Sequence, residues 1–284
     1  MGNGWLEWPL VIFTVFGQCV VGAFIVMSCA LLTQSGNQQQ RQRVLWAMLG
    51  LWILMGLGFI ASVIHLGSPL RAFNSLNRVG SSALSNEIAS GSLFFAAGGF
   101  WWLLSVLNKL PAAASRLWMS VTMVLGVVFV WMMARVYNSI DTVPTWHSGW
   151  TTAHFFLTAL IGGPLLGGFL LRFAGFRFRS PLTLPAISCA AVVLSVIAVL
   201  LQSSELATIQ TSLHQASALV PDYGAIMSWR VVLLIAALAI WFIPLLKGKE
   251  PGVAMLCVAL LFVVVGELLG RGLFYGLHMT VGLL

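Results

Sequence analysis

The chain has 284 residues, of which 60% are hydrophobic and only 7% charged. A soluble domain carries about 25% charged residues, so this chain lacks the polar groups to cover a water-facing globule, and a soluble enzyme is excluded. Its 14 Lys and Arg against 7 Asp and Glu give a net charge of +7, which suits nucleic acid, acidic lipid or membrane topology until the charges are placed.

Residues Met1 to Pro9 hold Glu7 but no Lys or Arg, so they lack the basic start of a removable secretory signal. A helix needs about 20 apolar residues to cross a hydrocarbon core about 30 Å thick. Eight runs reach that length, at about 10–33, 44–66, 88–107, 117–136, 153–173, 182–202, 230–247 and 253–270. Because these runs are continuous rather than alternating, they predict an all-α integral membrane protein with eight transmembrane helices, one membrane domain over 1–284, and not a β-barrel. Cys19, Cys29, Cys189 and Cys257 lie within apolar runs without a CxxC pair, and read as small buried hydrophobes rather than as metal ligands or a disulfide framework.

Span 2 ends at His65, where Gly67-Ser68-Pro69 stops the helix. Leu70, Phe73, Leu76 and Val79 then recur every three residues, with Arg71, Asn74 and Arg78 between them, which predicts a short helix lying in the interface. Glu87 enters at the first turn of span 3. Gly163-xxx-Gly167, Gly266-xxx-Gly270 and Gly272-xxx-Gly276 supply small faces for close helix packing. In span 8, Glu267 stands four residues before Arg271, the spacing of an ion pair within one helix.

Eight spans put both termini on one side. The connections after spans 1, 3, 5 and 7 carry Arg41, Arg43, Lys109, Arg116, Arg172, Arg177, Arg179, Lys247 and Lys249 against Glu250 alone, a sum of +8. The other side carries Arg71, Arg78, Arg135, Arg230 and Arg271 against Glu7, Glu87, Asp141, Glu205, Asp222 and Glu267, a sum of −1. The positive-inside rule then predicts short basic connections in the cytoplasm and both termini outside, in the periplasm of a bacterium. The net charge is a topology signal, and no nucleic-acid partner is needed to explain it. Long connections at 67–87, 137–152 and 203–229, and all of His65, His147, His154, His214 and His278, fall on or near the outer side. Ser85-Asn86-Glu87 opens span 3 much as Ser228-Trp229-Arg230 opens span 7, an echo that either parallel duplication of two four-span halves or shared start signals would produce.

Ionisable groups at membrane depth are costly and mark function by default. His65 and Glu87 could face each other across one hairpin, an imidazole and a carboxylate able to take protons from a lipid-soluble substrate. Each alone has a plainer account: Glu87 as a charge favoured at a helix start, His65 as an interfacial residue bonded to a loop carbonyl. Glu267 and Arg271 read first as a structural pair. No two histidines are embedded well within the spans, so the sequence argues against haem, and no metal-ligand spacing is present.

The strings Gly58-Phe59-Ile60-Ala61-Ser62, His65-Leu66-Gly67-Ser68-Pro69, Arg71-Ala72-Phe73-Asn74-Ser75-Leu76-Asn77-Arg78 and Leu84-Ser85-Asn86-Glu87-Ile88 resemble the membrane anchor subunit of the dimethyl sulfoxide reductase family of molybdoenzymes. Further matching strings begin at Ile140, Leu219 and Phe274, so the similarity runs nearly end to end. The resemblance implies a heterotrimer of a molybdopterin catalytic subunit, an iron–sulfur electron-transfer subunit and this anchor in the bacterial inner membrane, working in anaerobic respiration. It also implies that menaquinol is oxidised as an exchangeable substrate at the outer face. His65 and Glu87 match positions implicated there in quinol binding and oxidation, and Arg71 follows as a neighbour. One departure is Leu6, where the family's Gly-Trp-His-Glu-Trp-Pro stretch has His. A structural anchor without quinol chemistry and a small-solute transporter are the competing readings, the second opposed by the scarcity of polar residues inside the spans.

Overall fold

The computed structural model describes residues 2–33, 37–65, 74, 76–178, 180–206, 209 and 219–278. A 3-10 turn over Gly2–Glu7 leads into α1 (Trp8–Thr33), followed by α2 (Gln38–Ala47), α3 (Leu49–His65), α4 (Ala83–Val106) and α5 (Ala112–Asn138). The second part holds α6 (Gly149–Phe173), α7 (Thr183–Leu206), α8 (Tyr223–Leu246) and α9 (Val253–Gly276). Helices α2 and α3 run as one span, so among the described residues eight helices are long and apolar enough to cross a membrane. No strand occurs among the described residues.

The helix ends follow from local chemistry. Side chains of Asn37, Ser82 and Ser148 accept hydrogen bonds from the first turns of α2, α4 and α6, satisfying amides that have no partner within the helix. At the face away from the termini, the turns after α4, α6 and α8 each use a left-handed residue: Asn108 (φ 54°), Gly175 (φ 73°) and Gly248 (φ 66°). Asn108 also accepts from Gln38 and Gln42 at 2.9 and 2.8 Å, which fastens the end of α4 to α2.

Helices α1 and α6 form the centre of the bundle and are largely enclosed by the others. Their contact is close because glycine faces glycine. A Cβ on Gly163 would lie 2.5 Å from the Gly22 Cα, and one on Gly22 would lie 2.3 Å from the Ala159 carbonyl oxygen. The remaining helices are arranged twice over. In the first half α3 packs along α1, α4 along α5, and α5 against α1, while the backbones of α3 and α4 stay apart and the two helices meet through rings, Trp52 and Phe59 against Phe94 and Phe95. In the second half α7 packs along α6, α8 along α9, and α9 against α6, while α7 and α8 touch little.

Outward side chains such as Ile53, Leu57, Ile60, Leu200 and Leu261 are apolar and exposed, as a lipid-facing surface requires. Cys19 is buried, but Cys29 and Cys257 are exposed on such surfaces, so the expectation of four buried cysteines is corrected: a small apolar thiol serves equally well facing lipid. Of the expected interfacial helix, Leu70, Arg71 and Phe73 lie outside the described residues. Leu76 and Val79 are exposed, with Leu76–Arg78 in a 3-10 turn.

Candidate functional site at the terminal face

Helices α1, α4, α6 and α8 begin, and α3, α5, α7 and α9 end, at one end of the bundle, the terminal face. The backbone reverses into α4 through Gly80 (φ 93°), whose amide donates to Asn86 Oδ1 at 2.6 Å. With Ser82 as cap, this turn fixes the first residues of α4 and directs Ser85, Glu87, Gly91, Phe94 and Gly98 inward along one stripe. Glu87 is 4% exposed, and its Oε1 has no hydrogen-bond partner among the described residues. A buried carboxylate oxygen without a donor is expensive, which marks it as a functional position.

One turn below Glu87, Gly91 leaves room for the Phe129 ring, which a Cβ would meet at 2.5 Å. Phe129 stacks on Phe94 at 6.2 Å and meets Phe13 at 6.0 Å, and Phe13 meets Phe59 of α3 at 5.5 Å. Rings from α1, α3, α4 and α5 thus lay an aromatic floor beneath the carboxylate. Tyr137 and Tyr275, joined through their hydroxyls at 2.6 Å, stand within electrostatic reach of Glu87.

His65 is the last residue of α3 and is partly exposed. The carboxylate it meets is Glu7, with Nε2 to Oε2 at 3.2 Å, rather than Glu87. Glu7 is held there because the 3-10 turn lies flat on the end of α9. A Cβ on Gly4 would lie 2.1 Å from the Gly272 carbonyl oxygen, so Gly4 and the Gly272-xxx-Gly276 face together seat the N-terminal stretch. His65 and Glu87 therefore flank the α3–α4 seam at the same end of the bundle without bonding to each other. Arg71 lies outside the described residues. Leu6, next to Glu7, is 73% exposed.

A second polar group occupies the interior of the other half. Arg230 Nη2 bonds Glu267 Oε1 at 3.1 Å and Ser195 Oγ at 3.0 Å, and Thr158 Oγ1 donates to Glu267 Oε2 at 2.6 Å. This corrects the expected Glu267–Arg271 pair. Arg271 instead donates to Gln18 Oε1 at 2.9 Å and lies over the Phe155 ring at 3.8 Å, because its side chain is drawn toward α1 and α6 at the bundle centre. Glu267 is nine residues from the end of α9, about 14 Å along the axis at about 1.5 Å per residue. The interior of the terminal half is therefore more polar than the apolar runs predict. A cavity of about 40 Å³ beside this network is lined by His154, Gln202, Tyr223, Arg230, Glu267 and Arg271 among others. His154 Nε2 pairs with Gln202 Oε1 at 3.0 Å, His147 Nδ1 with the Asn138 carbonyl at 2.7 Å, and His278 stacks on Trp146, while His214 is outside the described residues.

Sequence reasoning missed Glu7 as a partner of His65, and Thr158, Ser195 and Gln18 as partners of the buried charges. The available signal was Arg230 and Glu267 at matching depths from the ends of their spans. No sequence spacing points from His65 back to Glu7.

Comparison with known proteins agrees with this arrangement along its length. The family model described as DMSO reductase anchor subunit (DmsC) matches residues 1–277. The sequence is 63% identical to the C subunit of anaerobic dimethyl sulfoxide reductase of Escherichia coli (strain K12), over 100% of this protein and 99% of that one. It is 57% identical to the anaerobic dimethyl sulfoxide reductase subunit YnfH of the same strain, and 39% identical to the C subunit of the Haemophilus influenzae reductase. Each of these matches again covers 100% of this protein and 99% of the relative. An eight-span bundle whose described buried charges, Glu87, Arg230, Glu267 and Arg271, lie in the terminal half, matched in sequence from the first turn to the end of α9, belongs to the DMSO reductase anchor subunit family.

Proposed function

We propose that the protein anchors a dimethyl sulfoxide reductase-like molybdoenzyme at the periplasmic face of the bacterial inner membrane and oxidises menaquinol at the α3–α4 seam. The names of the relatives support the reductase assembly, and they imply a catalytic subunit and an electron-transfer subunit as partners. The observation that carries the quinol reading is Glu87, a buried carboxylate whose Oε1 has no hydrogen-bond partner among the described residues, set above an aromatic floor beside the α3–α4 seam.

The quinol head enters from the bilayer between α3 and α4, ring against the phenylalanines. One hydroxyl donates to Glu87 Oε1 and supplies the hydrogen bond the carboxylate lacks. The other lies toward His65, whose partnership with Glu7 would stabilise an imidazolium once a proton has moved. Oxidation releases two protons and two electrons and leaves the quinone. The protons leave by way of Glu87 and the His65–Glu7 pair at the terminal face, and the electrons pass to an iron–sulfur centre of the docked partner. Arg71, which follows α3, is proposed as a further contact to the head group.

The test is Glu87→Gln in the assembled complex, with His65→Gln beside it. Loss of a proton acceptor costs roughly 100-fold or more in rate, so menaquinol-dependent acceptor reduction should fall by that factor in Glu87→Gln. Co-purification of the partners and their activity with an artificial electron donor should be retained. Full menaquinol oxidation by both variants would leave a purely structural anchor.

A further inference from the structure

The seam between α7 and α8 is the counterpart of the α3–α4 seam, and its chemistry is inverted. Each of these helices packs firmly on a neighbour but not on the other, and two contiguous hollows lie between them. The deeper, about 490 Å³, has only apolar walls, among them Ile197, Leu238 and Phe242. The one nearer the terminal face, about 460 Å³, includes Ser203, Tyr223, Ser228 and Arg230, and shares Val192, Val196 and Val231 with the first. Inside a bilayer such a seam does not stay empty, since unfilled walls forfeit dispersion contacts. Hydrocarbon fills it, and the polar end decides what that hydrocarbon is attached to.

Glu205 and Asp222 at that end are exposed, but among the described buried groups of this half the cations outnumber the anions. Arg230 is 6% exposed; its Nη2 is satisfied, and among the described residues its Nη1 reaches the Met227 sulfur at 3.7 Å and its Nε, lying against Gly270 of α9, has no hydrogen-bond partner. Arg271 is 4% exposed, and its Nη1 has no hydrogen-bond partner among the described residues. Two buried guanidiniums thus stand against one buried carboxylate, Glu267, in this half. A guanidinium keeps its charge, and a buried charge left uncompensated is costly. Glu87 is the fifth residue of α4 and Arg230 the eighth of α8, the corresponding helix, so a carboxylate near the start of one is replaced by a guanidinium near the start of the other. One seam suits a ligand that donates hydrogen bonds, the other a ligand that accepts them and carries negative charge.

We propose that the α7–α8 seam binds one phospholipid of net negative charge, with its acyl tails in the deep hollow and its phosphodiester drawn toward Arg230. The site is separate from the α3–α4 seam and does not depend on quinol chemistry there. Phosphatidylglycerol is the probe. The full-length protein, purified with the subunits that accompany it, is exchanged exhaustively into nanodiscs of phosphatidylcholine carrying a small fraction of phosphatidylglycerol. Native mass spectrometry after release should find one phosphatidylglycerol retained per anchor subunit, enriched at least tenfold over its share of the bilayer. Val196→Trp fills the hollow without touching Arg230 and should abolish the enrichment; Val231→Phe does the same if the first variant folds poorly. A retained molecule without phosphorus, such as an isoprenoid quinone, would overturn the proposal. So would retention in proportion to the bulk lipid, or equal enrichment in wild type and both variants.

Discussion

Glu267 shows how strongly a single residue in this bundle depends on partners from other helices. Its two oxygens are held by Arg230 of α8 and Thr158 of α6, and it is 2% exposed. Removing one member of a buried pair leaves the other uncompensated and costs about 3–5 kcal/mol, whereas replacing both by apolar groups is often neutral. Glu267→Leu should therefore lower the melting temperature of the detergent-solubilised protein clearly more than the Arg230→Leu/Glu267→Leu double variant. A double variant as unstable as the single would mean that the pair itself stabilises the fold. The residues of this network were visible in the sequence, but their pairing was not. Spacing along one helix offers Arg271 to Glu267, and only the packing of α8 on α9 brings Arg230 closer while α1 and α6 draw Arg271 away. His65 is a similar case: Glu87 is the nearest acid in the following span, yet Glu7 reaches it through a fold-back of the N-terminal turn onto α9.

At the scale of elements, hydropathy was enough to find eight membrane-crossing helices, because a long apolar run has no other stable form in lipid. It was less informative about where they start. Helices α4 and α6 begin at Ala83 and Gly149, several residues before their apolar runs, since first turns capped by Ser82 and Ser148 are helical without being strongly hydrophobic, and α5 and α8 begin early too, at Ala112 and Tyr223, without a side-chain cap. Gly163-xxx-Gly167 was legible as a close-packing face, but its partner was not, because any apolar helix with a small residue at the right depth would serve. The partner is α1 at Gly22, with no room for a methyl group on either side. Gly163→Ala should accordingly force α1 and α6 apart and sharply reduce folded yield and melting temperature. Gly99→Ala, where a Cβ meets nothing within 4 Å, should be neutral or slightly stabilising. Measured side by side, equal losses in the two variants would show that helix backbone effects, not the central contact, dominate.

The molecule as a whole is polarised along the membrane normal. One end carries the basic connections and the left-handed turns at Asn108, Gly175 and Gly248, and the other carries Glu7, His65, Glu87 and the buried polar network. The charge sums of +8 and −1 divide along the same line, and the positive-inside rule predicts a cytoplasmic basic end. The orientation matters for the proposed chemistry, because protons released by quinol oxidation at Glu87 and His65 would leave on whichever side the terminal face points to. A reporter enzyme active only in the periplasm should work when inserted in the 139–147 connection between α5 and α6 or fused after α9, and be silent in the turns at Asn108 and Gly248. A fluorescent protein that matures only in the cytoplasm should give the reverse pattern. Replacing Arg172, Lys247 and Lys249 with Gln would weaken the bias, so a mixed reporter pattern should appear in that variant first. The opposite assignment in the unaltered protein would place quinol oxidation on the cytoplasmic side, and no periplasmic reductase could then be docked on the terminal face.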